Sequence, residues 1–272
     1  MTVLPASEPP LRISFQPIVA TLTGQPFAWA AIAATPGGRS FAQLAAALPP
    51  EQRPALEALR IARSIEVAAA MGLARGDAMF ALPLGAAGSD PEPLVAHLFR
   101  AALAHRFPID RIVVEINADE RGDLCRVAAL AEACVDRGLA IAFDRFAVGP
   151  LAIRLLGRFT PRFLKLDTAL VGNVAASTAR RVMIEGVVRL ARNMGVTLVA
   201  NGIASRDDLA MLCTMGIRHI QGDWIAPARV QPLAPASIAR REPRGGTPQH
   251  RRLAPHHRPA APVAATACGW IN

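Results

Sequence analysis

Between residues 12 and 223 the chain repeats one pattern: a short, strongly apolar run, a turn, then a longer stretch with apolar residues three and four apart. The runs at 12–19, 26–33, 78–84, 111–117, 139–144, 162–167, 196–201 and 218–223 predict strands. The stretches at 50–74, 91–106, 122–138, 149–157, 177–195 and 205–216 predict helices, with Ser205 as an N-cap and Gly195 as a stop. Strands this apolar are buried on both faces, as in a parallel sheet covered by helices. Their number and regular alternation favour a closed sheet over an open, doubly wound one. No Gly-x-Gly-x-x-Gly follows a strand, so a dinucleotide crevice is not expected. The expected fold is α/β, a TIM-like (β/α)8 barrel spanning residues 11–232, after a short extension at 1–10.

The remaining segment, 233–272, is rich in Pro, Arg and His and has no apolar period, so it is expected to be disordered. It also carries much of the charge: six Arg and one Glu lie beyond residue 231, against +9 for the whole chain. A tail of this kind can touch nucleic acid, but no basic stripe is interleaved with aromatic residues, and nucleic acid is not the expected partner. The cysteines 125, 134, 213 and 268 have neither zinc spacing nor a disulfide framework. The N-terminus lacks the features of a signal peptide, and no run approaches the roughly 20 apolar residues of a membrane span. A soluble, cytoplasmic protein is expected, with no membrane contact.

The polar residues inside the apolar runs are informative. Glu115 lies in VVEIN, Asp144 ends IAFD, Lys165 and Asp167 end FLKLD, Asn201 ends LVAN, and Gln221 and Asp223 end IQGD. Lys165 is the only lysine in the chain. One carboxylate at a strand end is as readily a helix cap or an ion-pair partner as a ligand. Five successive strands ending in groups able to bind metal or phosphate point to a shared ligand face at the C-terminal end of the barrel.

These residues sit in segments that resemble a known family. FQPIVATLTG resembles YQPIVDLRTG, IAFDRFAVG resembles IALDDFGTG, and FLKLDTALV resembles the KIDRSFV segment. VANGIASRDDLAMLCTMGIRHIQGD is similar to VAEGVETEEQLELLRELGCDYVQGY. The order and spacing agree over about residues 11–232, so the chain looks like an EAL domain, the barrel that hydrolyses cyclic di-GMP in bacteria. The resemblance also shows where the chain departs from the family. Ala30, Ala31 and Ile32 stand at the signature Glu-Ala-Leu, so the metal-binding glutamate is an alanine. Ala34 replaces the phosphate-holding arginine, and Leu82 the metal-binding asparagine of the third strand. Ala118 replaces a glutamate, Arg145 replaces the second aspartate of DDFG, and Asn201 and Ala204 replace the glutamates of EGVE.

The implied activity needs two divalent cations with oxygen ligands, mostly carboxylates. Here Glu115 and Asp144 are left to hold at best one weakly bound Mg or Mn, and no metal is expected. An arginine at 145 would repel a cation about 4 Å away by roughly 4 kcal/mol at an effective dielectric of 20. Glu115, Asp144, Lys165 and Asp167 are therefore read as vestigial, with no catalytic residue expected. Arg145 is expected to act as an internal cation, pairing with Asp144, Glu115 or Asp167.

Two functions follow as expectations. One is a catalytically inactive regulator working through an unidentified protein partner, as family members with lost metal ligands do. No receiver, transmembrane or cyclase segment is expected beside the barrel, and its output is expected from its own surface. The other is a cyclic di-GMP receptor that binds without cleaving, using Gln16, Pro17, Glu115, Asp144, Arg145, Lys165 and Gln221. A residual phosphodiesterase ranks below both. The resemblance also implies a homodimer through helices within 149–190, although the apolar stripe of the 177–195 helix is equally explained by facing the barrel.

Overall fold

The computed structural model describes residues 11–85, 90–119 and 122–230. The expected extension at 1–10 and tail at 233–272 lie outside these residues. Eight strands close into one barrel in sequence order: β1 (Arg12–Ala20), β2 (Pro26–Ala34), β3 (Met79–Leu84), β4 (Ile112–Asn117), β5 (Ala140–Phe146), β6 (Phe163–Leu166), β7 (Thr197–Asn201) and β8 (His219–Gln221). Between β2 and β3 lie α1 (Phe41–Ala47) and α2 (Arg53–Ala70). The later connections carry α3 (Glu92–Ala104), α4 (Leu124–Asp136), α5 (Pro150–Leu156), α6 (Thr168–Val171), α7 (Thr178–Met194) and α8 (Arg206–Thr214). The expected barrel is observed, with one departure from an all-parallel sheet. β1 runs antiparallel to both β2 and β8, while the other neighbours are parallel. The turn around Gly24 (φ 70°) is too short for a crossover helix, so β2 must return alongside β1.

Alternation along the strands sorts the core into two layers. Ile18, Ala28, Ala30, Ala81, Val113, Ala142, Phe163 and Val199 form a small cluster inside the barrel. A larger cluster fills the space between sheet and helices. The alanine-rich 28–49 stretch thus contributes largely to packing, with Phe163 set among alanines inside. α1 is an element the apolar pattern does not announce. It is fixed by a capping box in which Ser40 accepts from the Gln43 N–H and Gln43 accepts from the Ser40 N–H. In α7 the buried residues are Ile184, Val187 and Ala191, so its stripe faces the barrel. Among the described residues no helix is long and apolar enough to cross a membrane.

His219 packs on Phe27, with ring centroids 4.3 Å apart, and burial lowers its pKa below the ordinary 6.5. The unfolded chain therefore binds this proton more readily than the fold does. The histidine's contribution to stability is complete above about pH 6.5 and is lost as pH falls toward the lower folded value. Calorimetric melts from pH 7.5 to 5 should show His219→Gln losing less melting temperature than the parent over that window.

Candidate functional site at the barrel mouth

Inward-facing positions at the C-terminal ends of the parallel strands, with the N-terminal half of the antiparallel β1, define the mouth. Strand alternation and register place Gln16, Ala30, Pro83, Glu115, Asp144, Lys165, Asn201 and Gln221 on the inner side, each two residues along the strand from a member of the inner cluster or paired with one that is. Leu82, expected at the position of the third-strand metal ligand, belongs instead to the outer layer. Pro83, paired in register with Glu115, is the inward residue there. A one-residue slip turns a strand side chain to the opposite face, and neither residue offers a side-chain oxygen.

Glu115 and Lys165 are both buried and form an ion pair. Burial pushes the Glu115 carboxyl above its ordinary range, which Lys165 only partly offsets and to which Asp144 adds. Burial alone would lower the Lys165 ammonium, but Glu115 and then Asp144 outweigh it and hold its pKa above the usual lysine value. A chain of amides occupies the adjacent wall. Gln221 Nε2 donates to Gln16 Oε1 at 3.0 Å, and Gln16 Nε2 donates to Asp223 Oδ1 at 2.8 Å and to the Ala226 carbonyl at 3.2 Å. Apart from the Glu115 oxygen that meets the Lys165 ammonium, two buried acceptors at the mouth, Asp144 Oδ1 and Gln221 Oε1, meet no hydrogen-bond donor among the described residues.

The remaining expected site residues lie elsewhere. Pro17 alternates with Gln16 and so faces the outer layer, in register with Trp29. Asp167 caps α6, its Oδ1 accepting from the Ala169 N–H at 2.7 Å. Arg145 forms no ion pair with Glu115, Asp144 or Asp167. It sits at an irregularity in β5, where Phe143 pairs with Leu164 and Phe146 with Leu166, so β5 carries one extra residue. Arg145 adopts φ 55° there and its side chain is 54% exposed, with Nη1 4.0 Å from Asp119 Oδ2. Strand alternation already sets Asp144 inward and Arg145 outward, and the extra residue returns Phe146 to the outer layer rather than the barrel interior.

The internal cation besides Lys165 is Arg60 of α2, which sequence reasoning missed. Arg60 pairs with Glu57, and both are buried. The guanidinium lies 4.0 Å over the Phe41 ring and acts electrostatically on Glu115. Burial raises the Glu57 carboxyl and lowers the Arg60 guanidinium, each partly offset by the other. The signal was present in the spacing: Leu56, Glu57, Arg60, Ile61, Ser64 and Ile65 repeat at three and four on the buried face of α2. Gly85 leaves room beside this pair: a Cβ there would fall 2.3 Å from Glu57 Oε1, so the carboxylate would have to shift to admit one.

Tested as a metal centre, the inner ring of the mouth offers two carboxylates, Asp144 and the Lys165-paired Glu115, while Asp223 on the wall accepts from Gln16. Among the described residues no three His, Cys, Asp or Glu side chains group so as to hold a metal ion. Two hard cations, each wanting about six oxygen ligands, do not fit this donor set.

A family model described as EAL domain matches residues 6–228. Among curated proteins, the blue light- and temperature-regulated antirepressor BluF of Escherichia coli (strain K12) is 28% identical over 165 residues, which is 59% of this chain and 40% of that protein. The probable cyclic di-GMP phosphodiesterase PdeN of the same strain is 26% identical over 48% of this chain and 25% of its own length. The chain thus spans well under half of either relative. Among solved structures, a standalone EAL protein from Vibrio cholerae O395 in its c-di-GMP-bound form superposes with TM-score 0.72 at 24% identity, over 82% of this chain and 94% of that one. Klebsiella pneumoniae BlrP1, in a calcium/cy-diGMP complex, gives TM-score 0.73 at 25% identity, over 84% of this chain and 58% of that one.

Proposed function

The chain belongs to the EAL domain family, and from that membership we propose that it is a non-catalytic member that regulates by binding another protein. The observation that carries this reading is the donor set of the mouth. Ala30, Pro83 and Asn201 stand on inward positions, Arg145 is turned outward, and Glu115 is tied to Lys165. Without paired metals, a water in the mouth keeps a pKa far above neutral, and phosphodiester cleavage lacks its nucleophile. The similarity to an antirepressor supports an output made through protein contacts. Incubation with cyclic di-GMP and manganese should release no linear dinucleotide over hours, as read by chromatography. Turnover that rises with manganese and is lost in Glu115→Gln would overturn the reading.

A second reading, a cyclic di-GMP receptor, is favoured by the two unpartnered acceptors. Among the described residues Asp144 Oδ1 and Gln221 Oε1 are buried without donors, and the N–H edge of a guanine would supply them. Arg145 on the rim could hold a phosphate by two parallel hydrogen bonds. Calorimetry distinguishes the two readings: silence agrees with the first, and micromolar binding abolished by Arg145→Ala establishes the second.

A further inference from the structure

At the end of the barrel opposite the mouth, the last turns of α3 and the segment leading to β4 enclose an open groove of about 450 Å³. Phe99, Leu103, Phe107 and Ile109 form its apolar walls, and Arg100 and Arg106 line it as exposed cations. Leu103 lies off the buried face of α3 and is 81% exposed. Neither arginine side chain makes a hydrogen bond or ion pair among the described residues. Asp110, exposed on the adjoining turn, pairs with neither.

The backbone gives an independent sign. The chain leaving α2, α4, α7 and α8 passes through a left-handed residue, and in each case it is glycine: Gly72, Gly138, Gly195 and Gly216. After α3 the left-handed residue is Arg106, at φ 52°. The turn it makes is the ordinary closing one, with the Phe107 N–H bonded to the Ala102 carbonyl at 2.8 Å. A side chain at this conformation is disfavoured where glycine is not, so the arginine is held against the local backbone preference. It places a second guanidinium beside the groove.

We propose that this groove docks an acidic segment of a partner protein, with one large apolar side chain seated between Phe99 and Phe107 and carboxylates meeting Arg100 and Arg106. The charge complementarity selects an acidic partner. A protein segment fits better than a small apolar carboxylate because Leu103 stands out from the surface, where only a broad partner would cover it. The proposal gives a partner chemistry to the regulatory reading and rests on it only for the partner being a protein.

A random dodecamer library displayed on phage and selected on the full-length protein should enrich peptides with one Phe, Leu or Trp flanked by Asp or Glu. A fluorescein-labelled member of that set should bind with salt-sensitive anisotropy. It should weaken at least tenfold for Leu103→Ser and for the Arg100→Glu, Arg106→Glu double variant, both with unchanged circular dichroism. Arg106→Gly should weaken the peptide too, yet raise the melting temperature by roughly 2–4 °C. A merely structural arginine would not separate binding from stability in this way. Absence of enrichment, enrichment of basic or uncharged peptides, or retention of the peptide by the double variant would each overturn the assignment. So would sedimentation with anionic phosphatidylglycerol vesicles that the double variant loses, which would make this a lipid surface. A purified host partner whose affinity survives the double variant would leave the regulatory reading standing and remove the groove from it.

Discussion

Lys165→Met should lower the free energy of unfolding by about 3–5 kcal/mol, the usual cost of removing one partner from a buried ion pair. The ammonium is buried against Glu115 and within the field of Asp144. Without it, two carboxyls are left at the mouth with no cation on the inner ring, and Arg60 acts only from behind, already paired with Glu57. Guanidinium titration of the variant should show the midpoint falling while the slope stays constant. The double variant Lys165→Met, Glu115→Gln should recover much of the loss, because the buried charge disappears with its partner. If the single and double variants are equally unstable, the loss comes from packing at Lys165 and the electrostatic account of the mouth fails.

Gly222→Ala should cost about 3 kcal/mol through the backbone. Gly222 has φ 154°, and a Cβ there would lie 2.7 Å from Ile203 N and 2.9 Å from Ile203 O. Those main-chain atoms cannot step aside. The N–H groups of Gly202 and Ile203 bond to the Gln221 carbonyl at 3.0 and 3.3 Å, and those of Ile225 and Ala226 to the Gly222 carbonyl at 3.0 Å. Relief must come from separating the ends of β7 and β8, which would displace Gln221 and break its bond to Gln16. Thermal unfolding of the variant reads the cost. An unchanged melting temperature would mean that the mouth is far softer than its hydrogen bonds imply.

The barrel was legible because its strands are so apolar that hardly any other arrangement could bury them. The ligand face was legible because Glu115, Asp144, Lys165 and Gln221 each interrupt or end such a run. The direction of β1 was readable from spacing rather than from pattern, since only about six residues separate the runs at 12–19 and 26–33, too few for a parallel crossover. Leu82 and Pro83 exchanged places because a period of two offers no internal check on a one-residue slip. Asp167 looked like its neighbours, but an aspartate at the start of α6 finds free N–H groups closer than any ligand. The Glu57–Arg60 pair was readable in principle, as opposite charges three apart on an otherwise apolar helical face. The outward face of Arg145 was readable too, as the neighbour of an inward Asp144, but nothing in FDRF announces the extra residue that keeps Phe146 out of the barrel interior.

Alternation at the end of β5 uncouples two neighbours in the chain. Asp144 answers to the interior, where a change of charge meets Lys165 and Glu115, whereas Arg145, among the described residues, answers to solvent and to Asp119. The rim can therefore be recoloured, from acid to base or to neutral asparagine, without repacking anything beneath it. That alternation thus gives the mouth an outer lip whose charge is adjustable while the barrel below stays fixed.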